Sequence, residues 1–252
     1  MASIYLASQS PRRKEILKSL GVNFKILSCN HKEEVFPNEN VVDFVERNTK
    51  EKALNALALI QAKKEIILPV LTADTVVSLD NQIFGKPRDK DHCISMLLEL
   101  SGRSHKVYSC IVIGELVNNN SEEVNLNYEI VESEVLFRQL NAEECQKYWD
   151  TGEPNDKAGG YAIQGYGAVF VERIIGSYSN IVGLPIFETC RILESKKIKL
   201  EETTSDAISS AASPLDAFLL VIAMASPGLI ARPVREYSSS GHSPPPEISQ
   251  SS

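Results

Sequence analysis

Ala2-Ser-Ile-Tyr-Leu-Ala-Ser-Gln-Ser-Pro-Arg-Arg13 begins with an apolar stretch and passes directly into a serine-rich turn and two arginines. Ser10 is a favourable N-cap and Pro11 suits the first helical position, so the segment predicts a strand, a turn and a helix. The positive end of that helix and its free N–H groups would lie beside Arg12 and Arg13. The segment therefore predicts an anion site, with a surface helix carrying two solvated arginines as the alternative.

Short apolar stretches alternate with amphipathic helices through the first 200 residues. This alternation predicts an α/β domain, and a long hairpin across the polar loop 118–121 makes its middle more antiparallel. Asp80-Asn81 is typical of a hairpin turn. A glycine-rich loop and then a strand are predicted over 159–171. The predicted strands are 3–7, 23–28, 66–73, 105–116 and 124–137, and the predicted helices are 11–20, 41–62, 89–100, 141–151 and 184–196.

The chain is acidic, with a net charge of −7 over 252 residues. This charge disfavours a general nucleic-acid binder, so any phosphate site should be a local basic pocket that takes a small anionic ligand. The five cysteines are scattered without metal-ligand spacing, which favours a reducing compartment over a structural zinc site. Because the first residues are typical of a strand and not of a signal peptide, we expect a cytoplasmic protein.

The composition changes after about Leu200. Residues 1–200 are predicted to form the functional domain, and residues 201–252 a partly disordered appendage that ends in a segment rich in serine and proline. Its apolar stretch, 214–230, is interrupted by Asp216 and is shorter than the roughly 20 residues of a membrane span. We therefore expect no stable membrane association, although Arg232 and Arg235 flank the stretch as a tail anchor would prefer.

Two charged residues stand where the pattern favours apolar ones. Lys52 lies in the middle of the apolar face of the predicted helix 41–62, and Asp74 interrupts the apolar run 66–77. A buried charge is costly unless it is paired, so each should meet an opposite charge, a ligand or a reaction. The alternatives are a snorkelling lysine and an aspartate that caps a turn. The apolar face consists of Val41, Val42, Val45, Ala56, Leu59 and Ile60.

Two glycine-containing segments complete the candidate site. Phe84-Gly-Lys-Pro87 holds Lys86 in a rigid corner, and the segment from Thr151 to Gly167 places Gln164 among small residues. A glutamine amide offers both a donor and an acceptor, as reading a nucleobase edge requires, although a structural glutamine is the alternative. The chain contains neither a Walker phosphate loop nor a dinucleotide fingerprint.

Taken together and in this order, these segments resemble the Maf family of nucleoside triphosphate pyrophosphatases. The resemblance covers about residues 3–196 and leaves out the segment beyond Leu200. Several motifs in register are more specific than any one of them. They are Leu6-Ala-Ser-Gln-Ser-Pro-Arg-Arg13, Glu51-Lys52-Ala53, Ala73-Asp74-Thr75, Gly85-Lys86-Pro87, Leu100-Ser-Gly102 with His105, Asp156-Lys-Ala-Gly-Gly-Tyr161, Ile163-Gln-Gly165, Gly176-Ser-Tyr178 and Val182-Gly-Leu-Pro185.

The resemblance implies an α/β fold in which a mixed, twisted sheet carries helices on both sides and two lobes enclose a nucleotide cleft, similar to inosine triphosphatases. It also implies hydrolysis of a nucleoside triphosphate to the monophosphate and pyrophosphate with a divalent metal, Mg²⁺ or Mn²⁺. Asp74 would activate water or bind the metal, and Glu33 would bind the metal or position water. The phosphates would be held by Ser8, Arg13, Lys52 and Lys86.

The branch of the family that this chain resembles acts on dTTP and UTP, and Arg12, Thr75 and Gln164 stand where that branch selects the base. The branch selective for 7-methyl-GTP carries a tryptophan and acidic groups there, which this sequence lacks. Clearance of modified nucleotides is compatible with either specificity. A nucleotide-sensing, non-catalytic regulator of cell division is the alternative function, and the presence of Asp74 favours the enzyme. The family also suggests a homodimer, for which no stretch of the sequence identifies an interface.

Overall fold

Seven strands form one mixed sheet in the computed structural model of the protein, which describes residues 2–29, 31–117 and 123–200. The predicted appendage, 201–252, and the predicted polar loop, 118–121, lie outside the described residues. The strand order is β2-β1-β3-β5-β6-β7, with β4 paired to β3. β1 is parallel to β2 and β3, and the other pairs are antiparallel. The strands are β1 Ile4–Leu6, β2 Phe24–Ile26, β3 Val70–Leu79, β4 Gln82–Phe84, β5 Ser104–Leu116, β6 Val124–Phe137 and β7 Val171–Ile175.

Helices cover both faces of this sheet. The buried face of α2 packs against Tyr5, Val70 and Val112 on one side. α1, α3, α4 and α6 contribute to the larger core on the other side, where alternate residues of β3 such as Leu71 and Ala73 point. The α/β fold with a mixed sheet between two helical layers is therefore confirmed. The helices are α1 Pro11–Ser19, α2 Val41–Lys63, α3 Lys90–Leu100, α4 Ala142–Asp150, α5 Tyr178–Val182 and α6 Ile186–Ser195.

The sheet itself creates the position of the cleft. β3 pairs with β5 from Val70 to Ser78 along one edge. Along the other edge, β1 pairs only with Val70 and Leu71, and β4 pairs only from Val77 to Leu79. In the described part of the chain, no strand covers residues 72–76 on this edge. The loops that follow β1 and β4 therefore face each other across a gap in which Asp74 lies.

The structure corrects several predicted boundaries. The strand predicted over 66–73 begins at Val70 and continues to Leu79, because β5 supplies a partner from Val70 to Ser78 and β4 pairs with its end. Ile66 lies outside it and is 75% exposed, so the apolar run misplaced the strand. Val42 is also exposed, although it was predicted to lie on the apolar face of α2. The strand predicted to end at residue 171 is β7, which begins there, and α5 was not predicted.

Other local predictions are confirmed. The hairpin of β5 and β6 has the predicted bounds to within one residue. Asp80 and Asn81 adopt φ angles of 50° and 66°, as a two-residue hairpin turn with positive φ at both central positions requires. The helix predicted over 141–151 is α4, and the structure adds a capping box that was not predicted, in which the Asn141 side chain accepts from Glu144 N–H and the Glu144 carboxylate accepts from Asn141 N–H.

Candidate active site

One cleft of about 1120 Å³ collects all the residues that the sequence singled out as site candidates. Among the residues that the structure describes, six lysines and arginines and three carboxylates line it, although the chain as a whole is acidic. The predicted local basic pocket is therefore present in the fold. The candidates that line it are Ser8, Arg12, Arg13, Glu33, Lys52, Asp74, Thr75, Lys86 and Gln164.

Asp74 and Lys52 form the centre of the cleft. Asp74 lies in the middle of β3 with its side chain 11% exposed, and Lys52 projects from α2 with 14% of its side chain exposed. The Lys52 ammonium donates to Asp74 Oδ2 at 2.9 Å and to Glu33 Oε1 at 2.7 Å. Lys52 thus faces inward and does not snorkel, and Asp74 does not cap a turn. The pairing explains how an ammonium is accommodated on the apolar face of α2.

Asn48 and His31 also belong to this cluster, and the sequence analysis missed both. Asn48 is wholly buried, donates from Nδ2 to Asp74 Oδ2, and lies with Oδ1 2.6 Å from His31 Nε2. The signal for Asn48 was available, since it precedes Lys52 by four residues and therefore shares its helix face. His31 lies in a segment between β2 and α2 whose sequence has no periodic pattern, so only the fold identifies it.

Arg13 is tied into the opposite wall by three hydrogen bonds. Its guanidinium donates to the Gly183 carbonyl at 2.7 Å, to Thr75 Oγ1 at 3.1 Å and to Ser8 Oγ at 3.3 Å. Burial lowers the pKa of Arg13 from its usual value, and the negative charge of Asp74 opposes this shift. An arginine remains cationic under these conditions, so the cleft holds a fixed positive charge.

Thr75 is occupied by this same network. Its hydroxyl accepts from Arg13 and lies 2.8 Å from the hydroxyl of Ser109, which is buried and donates to the Asn180 carbonyl. Gly183 has a φ angle of 120°, and a Cβ there would lie 3.4 Å from Thr75 Oγ1. The glycine therefore allows a close approach of the backbone to Thr75 and Arg13. The predicted role of Thr75 in base selection stays a prediction.

The N-terminus of α1 differs from the prediction in one detail. Ser10 occupies the N-cap position and Pro11 the first helical position, but the Ser10 side chain makes no capping hydrogen bond. The Ser10 N–H instead donates to Ser8 Oγ at 3.2 Å. The first turn of the helix therefore lacks the usual side-chain acceptor, and its N–H groups can bind an anion in the cleft.

Lys86 and Lys157 supply cations from two loops, one after β4 and one after α4. Lys86 follows β4 and is exposed to the cleft, while the Gly85 carbonyl accepts from the Gly159 N–H at 3.1 Å and joins the two loops. Lys157 lines the cleft beside its ion-pair partner Asp156, with 15% of its side chain exposed. The sequence analysis assigned no role to Lys157, because a lysine in a glycine-rich loop does not differ from a solvated one by pattern.

Gln164 lies at the mouth of the cleft on a loop that Glu153 holds in place. The Glu153 carboxylate accepts from the N–H groups of Tyr166 and Gly167 at 2.8 and 3.0 Å, and from the Tyr148 hydroxyl at 2.6 Å. A Cβ at Gly165 would overlap this carboxylate, so a side chain there would force Glu153 to move. Glu153 was missed by the sequence analysis, since it neither interrupts an apolar run nor lines the cleft.

The carboxylates do not form a metal site by themselves. Within residues 2–29, 31–117 and 123–200, no group of three or more histidine, cysteine or acidic side chains could hold an ion. Glu33 and Asp74 nevertheless meet at one point, the Lys52 ammonium. Because Mg²⁺ is usually bound by one or two carboxylates together with substrate phosphates and water, this pair fits an ion that shares its ligands with a bound phosphate.

None of the helices in the described ranges is both long enough and apolar enough to cross a membrane.

The fold and the cleft define an α/β protein with a basic pocket for a phosphate-bearing ligand around a buried carboxylate. The chain belongs to the Maf family, because the family described as Maf-like protein matches residues 3–196. A dTTP/UTP pyrophosphatase of Alkalilimnicola ehrlichii is 44% identical over 196 residues, which are 77% of this chain and 93% of that relative. A protein of the same name from Hahella chejuensis is 44% identical over 197 residues, or 78% of this chain and 94% of the relative.

Among solved structures, a HAM1 protein from Coxiella burnetii aligns with 77% of this chain and 100% of its own, at 18% identity and a TM-score of 0.41. That degree of similarity carries no argument about function.

Proposed function

We propose that this protein is a nucleoside triphosphate pyrophosphatase that hydrolyses dTTP and UTP to the monophosphate and pyrophosphate. The observation that carries the proposal is a buried carboxylate, Asp74, in a cleft to which the described part of the chain contributes six cations. Its relatives from Alkalilimnicola ehrlichii and Hahella chejuensis bear the name dTTP/UTP pyrophosphatase. A sensor would need the cations but would have no use for a carboxylate among them.

The reaction would need an oriented water, neutralised phosphate charge and a stabilised leaving group. Asp74 would take a proton from the water while the water oxygen bonds to the α-phosphorus. The bond between that phosphorus and the α,β-bridging oxygen would break. Arg13, Ser8 and the first turn of α1 would hold phosphate oxygens on one side. Lys52 from α2 and Lys86 from the loop after β4 would neutralise charge, so that pyrophosphate can leave.

The proposal includes a divalent cation, Mg²⁺ or Mn²⁺, held by Glu33 and Asp74 together with substrate phosphates. When bound, such a cation supplies a Lewis acid that withdraws charge from phosphate oxygens. Lys52, which now donates to both carboxylates, would then have to turn toward the phosphates. Its flexible four-carbon side chain allows this movement.

Pyrimidine selection is assigned to Arg12, Thr75 and Gln164. Gln164 supports this assignment because its amide lies exposed at the mouth of the cleft, where it can pair with the carbonyl and N–H edge shared by uracil and thymine. Removal of modified pyrimidine nucleotides from the pool is a role that this selectivity would serve. The proposal also includes a cytoplasmic location, which suits an enzyme of the nucleotide pool, and a homodimer, which light scattering would test.

The proposal is tested by measuring pyrophosphate release from dTTP, UTP, CTP, dATP, GTP and 7-methyl-GTP with Mg²⁺ or Mn²⁺. We expect dTTP and UTP to be turned over fastest and Asp74→Asn to lower kcat by about 100-fold or more. Asp150→Asn, at an exposed aspartate paired with Lys90, is the control and should leave kcat unchanged. Faster turnover of 7-methyl-GTP would contradict the pyrimidine assignment, and nucleotide binding without any turnover would favour the sensor.

A further inference from the structure

We infer that His31 and Asn48 form a positioning relay that fixes the orientation of the Asp74 carboxylate. The inference rests on the proposed function, because the orientation of the Asp74 carboxylate affects turnover only if Asp74 reacts with water. Asn48 is the direct partner of Asp74, and His31 acts through Asn48.

The direction of each hydrogen bond in the relay follows from the carboxylate. An ionised carboxylate only accepts, so the Asn48 amide must present its nitrogen to Asp74 Oδ2. The Asn48 oxygen is then left facing His31 Nε2 at 2.6 Å, and an oxygen acceptor requires a proton on that nitrogen. The relay therefore runs in one direction, from the imidazole N–H to the amide and from the amide to Asp74.

The second nitrogen of His31 is held as well. Asn55 Nδ2, an amide donor, lies 3.1 Å from His31 Nδ1, so this nitrogen is the acceptor and the ring is the Nε2–H tautomer. The His31 side chain is 8% exposed, and the carboxylate oxygen Oε2 of Glu51 lies 3.7 Å from Nε2. Asn48, Asn55 and Glu51 all belong to α2, so one helix fixes the ring on both sides.

The Asp74 carboxylate has about four lone-pair positions. Oδ2 accepts from Asn48 and Lys52, and Oδ1 accepts from the Thr75 N–H at 3.1 Å. About one position on Oδ1 is left for a water molecule. The terminal torsion of an aspartate is broad, so that position is directed only if the partners of Oδ2 hold the group still.

Lys52 alone would not hold the Asp74 carboxylate in one orientation. Its ammonium sits at the end of a flexible chain and is shared between Asp74 and Glu33. Asn48 is short, wholly buried and bonded at both ends of its amide, so it can fix an angle that Lys52 cannot. An apolar residue would suit the buried face of α2 equally well, which indicates that the polar group at position 48 serves the cleft rather than the core.

The test compares Asn48→Leu and His31→Leu with His31→Gln, whose side-chain amide can donate from about the position of His31 Nε2. We expect Asn48→Leu to lower kcat for dTTP by about tenfold or more with KM changed less than about twofold, since only the reacting carboxylate is disturbed. His31→Leu should lower kcat in the same way, and His31→Gln should recover most of the loss. Thr189→Val removes a buried hydroxyl on α6 outside the cleft and should leave kcat unchanged.

The outcomes separate the relay from the proposed function. If Asp74→Asn retains turnover, the proposed role of Asp74 is wrong and the relay fails with it. If Asp74→Asn is inactive but Asn48→Leu keeps full kcat, the relay alone is wrong. Should Asn48→Leu fail to fold, the two His31 variants decide, because equal losses of kcat in His31→Leu and His31→Gln would contradict a donor role.

Discussion

The centre of the cleft is assembled from single residues whose polar atoms pair with one another. Lys52 bridges two carboxylates, and Arg13 binds three oxygens on the opposite wall. These pairs offset the free-energy cost of burying charge, and they also fix the cations in position. At this scale, the contacts of Thr75 lead to a different expectation from its predicted role in selecting the base.

Thr75→Val tests whether this residue supports Arg13 or reads the base. The hydroxyl accepts from Arg13, so its loss should raise KM for dTTP, UTP and CTP alike by about three- to tenfold, while Thr75→Ser keeps KM near the parent value. Steady-state kinetics on the three nucleotides measures both. A change confined to the ratio of UTP to CTP would instead assign Thr75 to base selection, as the family resemblance implies.

Elements position the two walls of the cleft. The loop that carries Gln164 has little secondary structure of its own beyond the short helical turn Tyr166–Phe170. Its conformation depends on Glu153, which follows α4 and accepts two of the loop's N–H groups. A base-reading side chain at the mouth of a cleft therefore relies on a carboxylate that does not line the cleft.

Glu153→Gln should weaken base discrimination. The substituted amide can accept only through its single oxygen, so at least one of the two loop N–H groups or the Tyr148 hydroxyl loses its acceptor. We expect the preference for UTP over CTP, measured as a ratio of kcat/KM values, to fall by about three- to tenfold. Glu143→Gln, at an exposed glutamate of α4, is the matched control. An unchanged ratio in Glu153→Gln would show that the loop needs no such support.

The whole molecule combines the sheet, its two helical layers and a buried aromatic cluster. His105 lies in that cluster, 1% exposed, with edge contacts to Phe137 and Tyr161. Burial lowers the pKa of His105 to about 4. An unfolded histidine titrates near 6.5, so the unfolded chain binds this proton first as the pH falls.

The stability of the fold should therefore decrease between pH 6.5 and pH 4. Because the pKa of His105 is lower in the folded chain, its contribution to the free energy of unfolding is present above pH 6.5 and is lost as the pH falls. The free energy of unfolding should decrease by about 2.5 kcal/mol at pH 4.5. Urea unfolding at pH 7.5 and pH 4.5 measures the decrease in the free energy of unfolding. In His105→Gln this decrease should be smaller by about the same 2.5 kcal/mol. His92→Gln, outside this cluster, should retain it. An equal loss in the parent and in His105→Gln would exclude His105 as the cause.

The sequence determined the local elements and the chemistry of the candidate site. The Ser-Pro-Arg-Arg turn, the hairpin turn at Asp80-Asn81 and the helix after Asn141 depend on interactions within a few residues, so the local sequence is enough to predict them. Lys52 and Asp74 were found because a charge within an apolar pattern is costly wherever the chain folds. Each residue separately indicated that it needs a partner of opposite charge, and in the structure the two pair with each other.

Only the tertiary structure decided which groups meet. The gap at residues 72–76 exists because β1 and β4 both end on the same edge of β3, from opposite sides of the gap, and strand pairing between distant segments cannot be read from either segment alone. The same holds for His31 on Asn48 and for Gly183 on Arg13, which are 17 and 170 residues apart in sequence. Such contacts depend on packing across the whole sheet, whereas sequence patterns report only the few neighbours of each residue.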